Sequence, residues 1–388
     1  MRNEGETAAL VRCDSYEEEK VQAALDRAVG FLGGYDAFFR PGMRVVIKPN
    51  LMRKSDPALC AVVHPSVIRA VAKRAVERGA HVLLAESPGG VYNPAALRGI
   101  YEAAGLLPVA EETGMELNYD TSDREVPVPG RRLKSLHVIS PLLEADLVVN
   151  IAKMKSHTLA VYSGAVKNLY GVIPGLLKAE MHFQHQSVES FSDMVVDICD
   201  FIKPQLNIVD AVMAMEGEGP GSGDPREVDA LVASPSAYAA DAVSAGLAGY
   251  AIDELPMLRL ARERGLFSGE VEILGDDPES LRVKDFVRAS QRGNHLLQSK
   301  VPGFLVKPLE SWFALKPKVR RKACVGCGIC ARTCPVKTIE IRGRKAKIHP
   351  KACIQCFCCL EFCPKKAIAA KRNWLFRAAI RVTGGRKK

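Results

Sequence analysis

No stretch of these 388 residues approaches the roughly 20 consecutive apolar residues that a membrane-spanning helix needs. The opening residues, MRNEGETAALVRCDSYEEEK, are polar and acidic, with neither the basic segment nor the apolar core of a secretory leader. We therefore expect a cytoplasmic protein. Aromatic residues are scarce, at 6% of the chain, and basic positions lack interleaved stacking rings. That argues against nucleic acid as a partner. There is no GxSxG elbow and no HExxH pair. The glycine-rich run 217–223 lacks the lysine of a phosphate-cradling loop, and no clear helix follows it. No flavin or nicotinamide fingerprint occurs. Apolar residues make up 47% of the chain, enough for a substantial core. The length suits one large domain and a small one.

Cysteine is what the chain has in quantity. Eight of its 12 cysteines form two copies of one spacing. The first is Cys324-x2-Cys327-x2-Cys330-x3-Cys334-Pro335; the second is Cys353-x2-Cys356-x2-Cys359-x3-Cys363-Pro364. Around them Ala323, Val325, Lys337 and Ile339 recur at the offsets of Ala352, Ile354, Lys366 and Ile368. The repeat implies two half-modules about a pseudo-twofold axis. The spacing is the ligand run of bacterial two-cluster ferredoxins, in which the fourth cysteine of each run serves the other cluster. We therefore expect two 4Fe–4S clusters. The first would use Cys324, Cys327, Cys330 and Cys363, the second Cys353, Cys356, Cys359 and Cys334. Structural zinc is the alternative, but zinc sites want paired cysteines with longer gaps between pairs. Cys13, Cys60, Cys199 and Cys358 remain, and read as reduced thiols in a reducing compartment. Cys358, beside Cys359, reads as a bystander rather than a spare ligand.

Charge is divided unevenly. From residue 316 onward there are 21 Lys and Arg against two acids, Glu340 and Glu361, a net of +19. The whole chain carries +10, so the preceding residues carry −9. Two oxidised clusters with their thiolates would add about −4, leaving the module basic. A redox partner protein with an acidic surface would suit it. The tail, with Trp374, Leu375, Phe376 and Ile380 among basic residues, could form a short amphipathic helix and touch a membrane surface. Packing of that helix on the module is the simpler reading.

The first three hundred residues alternate strand and helix patterns. Strand patterns fall at 44–49, 81–86, 135–139, 146–151, 206–215, 230–233 and 271–274. Helix patterns fall at 65–78, 94–104, 187–202, 236–250 and 255–264. This predicts an α/β body with a mainly parallel sheet and a small C-terminal α+β ferredoxin-like domain. The expected divisions are a body over 1–280, a connector over 281–320, the two-cluster domain over 321–370 and a basic tail over 371–388. Ligands of parallel sheets gather at the carboxyl ends of strands. Polar residues cluster there: Lys48 and Asn50; Lys153, Lys155 and His157; Lys167 and Asn168; Asp210 and Glu216. Singly, each has a structural explanation; together they suggest a positive pocket for a small anionic ligand. Lys155 and His157 are the catalytic candidates. Glu180, His182 and His185 could bind a metal but read better as a polar loop.

Several segments resemble an uncharacterised α/β family, a domain of unknown function often fused to a two-cluster ferredoxin module. They are Val46-Ile47-Lys48-Pro49-Asn50-Leu51, His64-Pro65, Lys153-Met154-Lys155-Ser156-His157, the run 164–171, the run 216–220 with Ser222-Gly223, and Asp241-Ala242-Val243. The resemblance implies iron–sulfur redox work and leaves the body's reaction open. The body is also distantly similar to the nickel-pincer lactate racemases, but the histidines that hold that cofactor are not recognisable. Three functions follow. The first is an electron-transfer protein relaying single electrons between the clusters and the body or a partner. The second is an iron–sulfur oxidoreductase acting on a small anion. The third is a non-catalytic assembly or partner-binding factor.

Overall fold

The computed structural model describes residues 6–289 and 316–371. The tail residues Trp374 to Ile380, and most of the connector, lie outside the described residues. Among the described residues no helix is long and apolar enough to cross a membrane.

The body strands are β1 (Thr7–Arg12), β2 (Arg44–Pro49), β3 (His81–Leu84), β4 (Glu116–Leu117), β5 (Asp123–Pro127), β6 (Ser135–Ile139), β7 (Leu147–His157), β8 (Val161–Ser163), β9 (Leu206–Glu216), β10 (Asp224–Ser234) and β11 (Glu272–Gly275). All but β5 and β6 join one sheet of order β11-β1-β10-β9-β7-β2-β3-β4, with β8 paired to β7. The pairs β2–β3, β2–β7, β3–β4, β7–β9 and β1–β11 are parallel. The sheet is thus mainly parallel, as its alternating pattern predicts, and β10 inserts antiparallel between β1 and β9. The glycine-rich run 217–223 is the connection between antiparallel β9 and β10, which is why no helix follows it. The 135–139 pattern is a strand, but it pairs with β5 in a separate hairpin.

Strand residues alternate between two apolar clusters because helices cover both faces of the sheet. Val45, Ile47, Val149 and Ile151 pack with the helices Glu18–Phe31 and Pro65–Glu77. Val46, Val148, Ala152 and Met154 pack with Val188–Ile202 and Ala237–Leu247. Pro65 opens its helix, where a missing N–H costs nothing, and the His64 side chain accepts from Ser66 N. The strand β1 and the helix Glu18–Phe31 are elements that the sequence patterns above passed over.

The module comprises β12 (Lys316–Val319), β13 (Ile339–Arg342), β14 (Lys345–Ile348) and β15 (Ile368–Lys371), with the one-turn helices Ile329–Arg332 and Cys358–Glu361. Strand β12 falls within the stretch read as connector and pairs antiparallel with β15, while β13 and β14 form a hairpin.

Candidate functional site

The carboxyl ends of β2 and β7 meet the module directly. Arg53, in the loop after β2, is buried. Its Nη1 donates to the carbonyl of Glu361 and, at 3.1 Å, to that of Cys363; its Nη2 donates to Gly221 O at 2.7 Å. Lys366 Nζ donates to Gly223 O at 2.9 Å. Two glycines make the fit possible. A Cβ on Gly89 would overlap the Phe362 ring, and one on Gly221 would lie 2.9 Å from both Glu361 O and Arg53 Nη1. The body loops are thus shaped to the helical turn Cys358–Glu361 and the residues after it.

Under that turn lies a cavity of about 60 Å³, room for a few waters or a small anion. Asn50, Glu86, Ser87, Lys155, Lys167, Asn168, Tyr170 and Lys178 line it from the body, Glu361 and Phe362 from the module. Lys155 Nζ donates to Asn50 Oδ1 at 2.5 Å and Ala61 O at 2.9 Å. No carboxylate pairs with it among the described residues, and burial, with Lys167 and Arg53 adding repulsion, pushes its ammonium well below the usual lysine value. Lys167, on the short helix Ala165–Asn168, lies over the Tyr170 and Phe191 rings at 5.1 and 5.5 Å. Burial lowers its pKa while Glu361 and Cys358 oppose the shift. Lys178 Nζ donates to Ser87 O at 2.8 Å, to Ser87 Oγ at 3.1 Å and to Ile173 O.

Glu361 is itself buried. Its Oε1 lies 3.3 Å from His157 Nε2. The His157 Nδ1 accepts from the backbone N–H groups of Leu159 and Ala160, both at 3.0 Å, so the imidazole proton sits on Nε2 and points at Glu361. Burial would raise the Glu361 pKa, but His157 and Lys167 more than offset it and hold the carboxyl at about 2.

The cysteine runs converge as well. Cys324, Cys327 and Cys330 of the first run share one cavity with Cys363 of the second. Burial raises the Cys330 pKa, and Cys363, Cys327 and Cys324 are the charges that add to it. Cys359 is raised by burial and then by Cys356, Cys353, Cys330 and Cys334. Backbone N–H groups point at three sulfurs: Ala346 to Cys324 at 3.3 Å, Thr338 to Cys334 at 3.4 Å, and Ala367 to Cys363 at 3.2 Å. Such hydrogen bonds to sulfur are the outer contacts that orient and tune cluster ligands. The donor set therefore fits iron–sulfur clusters.

A family model described as a domain of unknown function, DUF362, matches residues 45–246, half of the chain. The chain belongs to the DUF362 family. A 4Fe–4S dicluster domain matches residues 316–364, so the DUF362 region is joined to an iron–sulfur module with an electron-transfer role. The thylakoid-associated protein sll1697 of Synechocystis is 34% identical over 238 residues, covering 61% of this chain and 73% of that protein. Two solved structures also align. One, a protein from Thermotoga maritima, has a TM-score of 0.34 at 16% identity, over 56% of this chain and 55% of its own. The other, the lactate racemase apoprotein from Thermoanaerobacterium thermosaccharolyticum, has a TM-score of 0.42 at 15% identity, over 65% and 59%. The chain thus spans less than two thirds of either structure.

Of the strand-end residues singled out in the DUF362 body, Asn50, Lys155, Lys167 and Asn168 line the cavity. Lys48, Lys153, Asp210 and Glu216 are not among its lining residues. Lys48 donates to Glu86 at 2.6 Å and Lys153 to Asp210 at 2.9 Å. Asp210 also accepts from Tyr16 OH at 2.8 Å. Glu216 accepts from Val287 N at 2.9 Å. His157 faces Glu361. The Glu180 trio does not converge: His182 stacks on Phe191 and His185 bonds Ser190 Oγ at 2.9 Å. Sequence reasoning missed Glu86, Ser87, Tyr170, Lys178 and Glu361 as site residues. For Glu361 a clue was present, because it is one of two acids among the last 73 residues.

Proposed function

We propose that the module holds two 4Fe–4S clusters and exchanges single electrons with the small polar site at the strand ends of the body. Cys324, Cys327, Cys330 and Cys363 would hold one cluster, and Cys353, Cys356, Cys359 and Cys334 the other. When bound, such clusters supply one-electron steps. The observation that carries this reading is the helical turn Cys358–Glu361. It lies within the second cysteine run, carries Cys359 and ends with Glu361 in the wall of the cavity, so a proposed cluster ligand and a wall residue share one turn. The chain's own residues do the rest. Lys155 and Lys167 favour a small oxyanion, Asn50 and Asn168 orient it, and Phe362 and Tyr170 restrict water. His157 holds its proton toward Glu361 and keeps that carboxylate in place. This arrangement favours the oxidoreductase form of the electron-transfer reading, with a small anion as substrate.

The test is an EPR-monitored redox titration of anaerobically reconstituted protein, with iron and sulfide analysis. Two reducible clusters are expected, and one signal should shift when small carboxylates or oxyanions are added. Lys155→Ala with Lys167→Ala should abolish that shift and leave the clusters intact. About two zinc atoms per chain with negligible iron and sulfide would defeat the cluster assignment. Reducible clusters indifferent to a panel of anions would defeat the pocket.

A further inference from the structure

The module carries a second concave surface that no body residue lines. It is a groove of about 700 Å³ walled by β12 and β14, with Cys353 and Gln355 completing its lining. Six cations border it, Lys316, Lys318, Arg321, Arg342, Lys345 and Lys347, and no acid does. Lys345 is tied to Cys324 O at 2.6 Å, and Lys347 approaches Glu340 at 3.4 Å. Among the described residues no ion pair engages Lys316, Lys318, Arg321 or Arg342. So many like charges around one opening repel each other and raise a local positive potential.

We propose that this groove is the docking surface for an acidic redox protein, which exchanges electrons with the module beside Cys353. The proposal rests on the electron-transfer reading above. It adds the second port that a relay needs: Glu361 faces the body cavity, while Cys353 belongs to the same cysteine run and faces the groove. Two features single out a protein. Long-range steering by clustered cations accelerates encounter with an acidic surface. The lining mixes those cations with the apolar Val319, Ala346 and Ile348, as a protein docking surface does.

The experiment uses the full chain, reconstituted anaerobically, and a small acidic two-iron ferredoxin as probe. Binding is followed by biolayer interferometry and electron exchange by stopped flow, at about 20 mM and about 300 mM salt. The exposed cations are reversed together as Lys318→Glu, Arg321→Glu and Arg342→Glu; Arg40→Glu on the body is the control. The triple variant should bind and exchange electrons at least about tenfold more weakly at low salt, converge with the parent at high salt, and keep the parent's cluster EPR signals. The control should match the parent. Failure of the parent to bind, or a triple variant within about twofold of it at low salt with normal EPR, overturns the groove. So does loss of binding to anionic phospholipid vesicles alone. Absence of reducible clusters in the parent defeats the electron-transfer reading, and the groove with it, and is recognised by EPR before any binding is measured.

Discussion

Arg53→Ala tests the joint on which the proposed electron path depends. The guanidinium makes two hydrogen bonds from body to module, to Glu361 O and Cys363 O, and a third that ties the 217–223 loop to the same point. Hydrogen bonds to a charged group contribute about 1.5–3 kcal/mol each. Two such bonds lost, taken at the low end because neighbouring bonds are not additive, weaken docking by about 3 kcal/mol. That is on the order of a 100-fold shift toward the undocked state. Arg53→Lys keeps the charge but not the planar fork, so it should fall between parent and alanine. The readouts are hydrogen exchange across 357–371 and tryptic cleavage at the exposed Lys365, with iron and sulfide content as control. Arg53 is not a proposed ligand, so cluster content should hold while exchange and cleavage rise. If exchange in 357–363 matches the parent, the module is not held by this clamp, and the path through Glu361 loses its support.

Three further outcomes are expected. Gly89→Ala places a methyl where the Phe362 ring sits and should cost about 1–3 kcal/mol, seen as a lower Tm with the same rise in exchange over 357–363; an unchanged Tm would mean that the ring moves aside freely. Cys334→Ser should damage the cluster held by Cys353, Cys356 and Cys359 more than its sequence neighbours, by EPR; selective loss of the other signal would refute ligand exchange between the runs. Burial pushes the Lys178 ammonium down from the ordinary lysine value of 10.5 to about 7. Between those values the unfolded chain binds the extra proton, so stability contributed by this group is absent at low pH and grows as pH rises above about 7. The Tm of the parent minus that of Lys178→Met should therefore climb between about pH 7 and pH 9.5; a flat difference would show that the ammonium stays charged in the fold.

The fold was legible where local chemistry decides it. Strand β2, the helix Pro65–Glu77 and strand β3 follow from a short apolar run, a proline at a helix start and a glycine after its end. Strand β1 was not, because Thr7–Arg12 is short, alanine-rich and follows a polar segment, with no alternation to mark it. Its place comes from long-range pairing with β10 and β11, which no local pattern carries.

The site shows the same division more sharply. Lysines at adjacent strand ends could be read as a cluster, because parallel strands bring their carboxyl ends together whatever the strand order. Which lysines remain to meet a ligand depends on partners far away in sequence. Lys48 is neutralised by Glu86 and Lys153 by Asp210, 38 and 57 residues off, while Lys155 receives only neutral acceptors among the described residues. Glu361 lies 204 residues beyond His157 and reaches it only because the module folds back onto the strand ends. Its rarity in a basic module carries weight once the fold is known. A carboxylate kept among so many cations has to be held by specific neighbours, and here they belong to the body. The cysteine spacing identifies the module, but its contact with the body strand ends is made by one acidic residue between two of those cysteines.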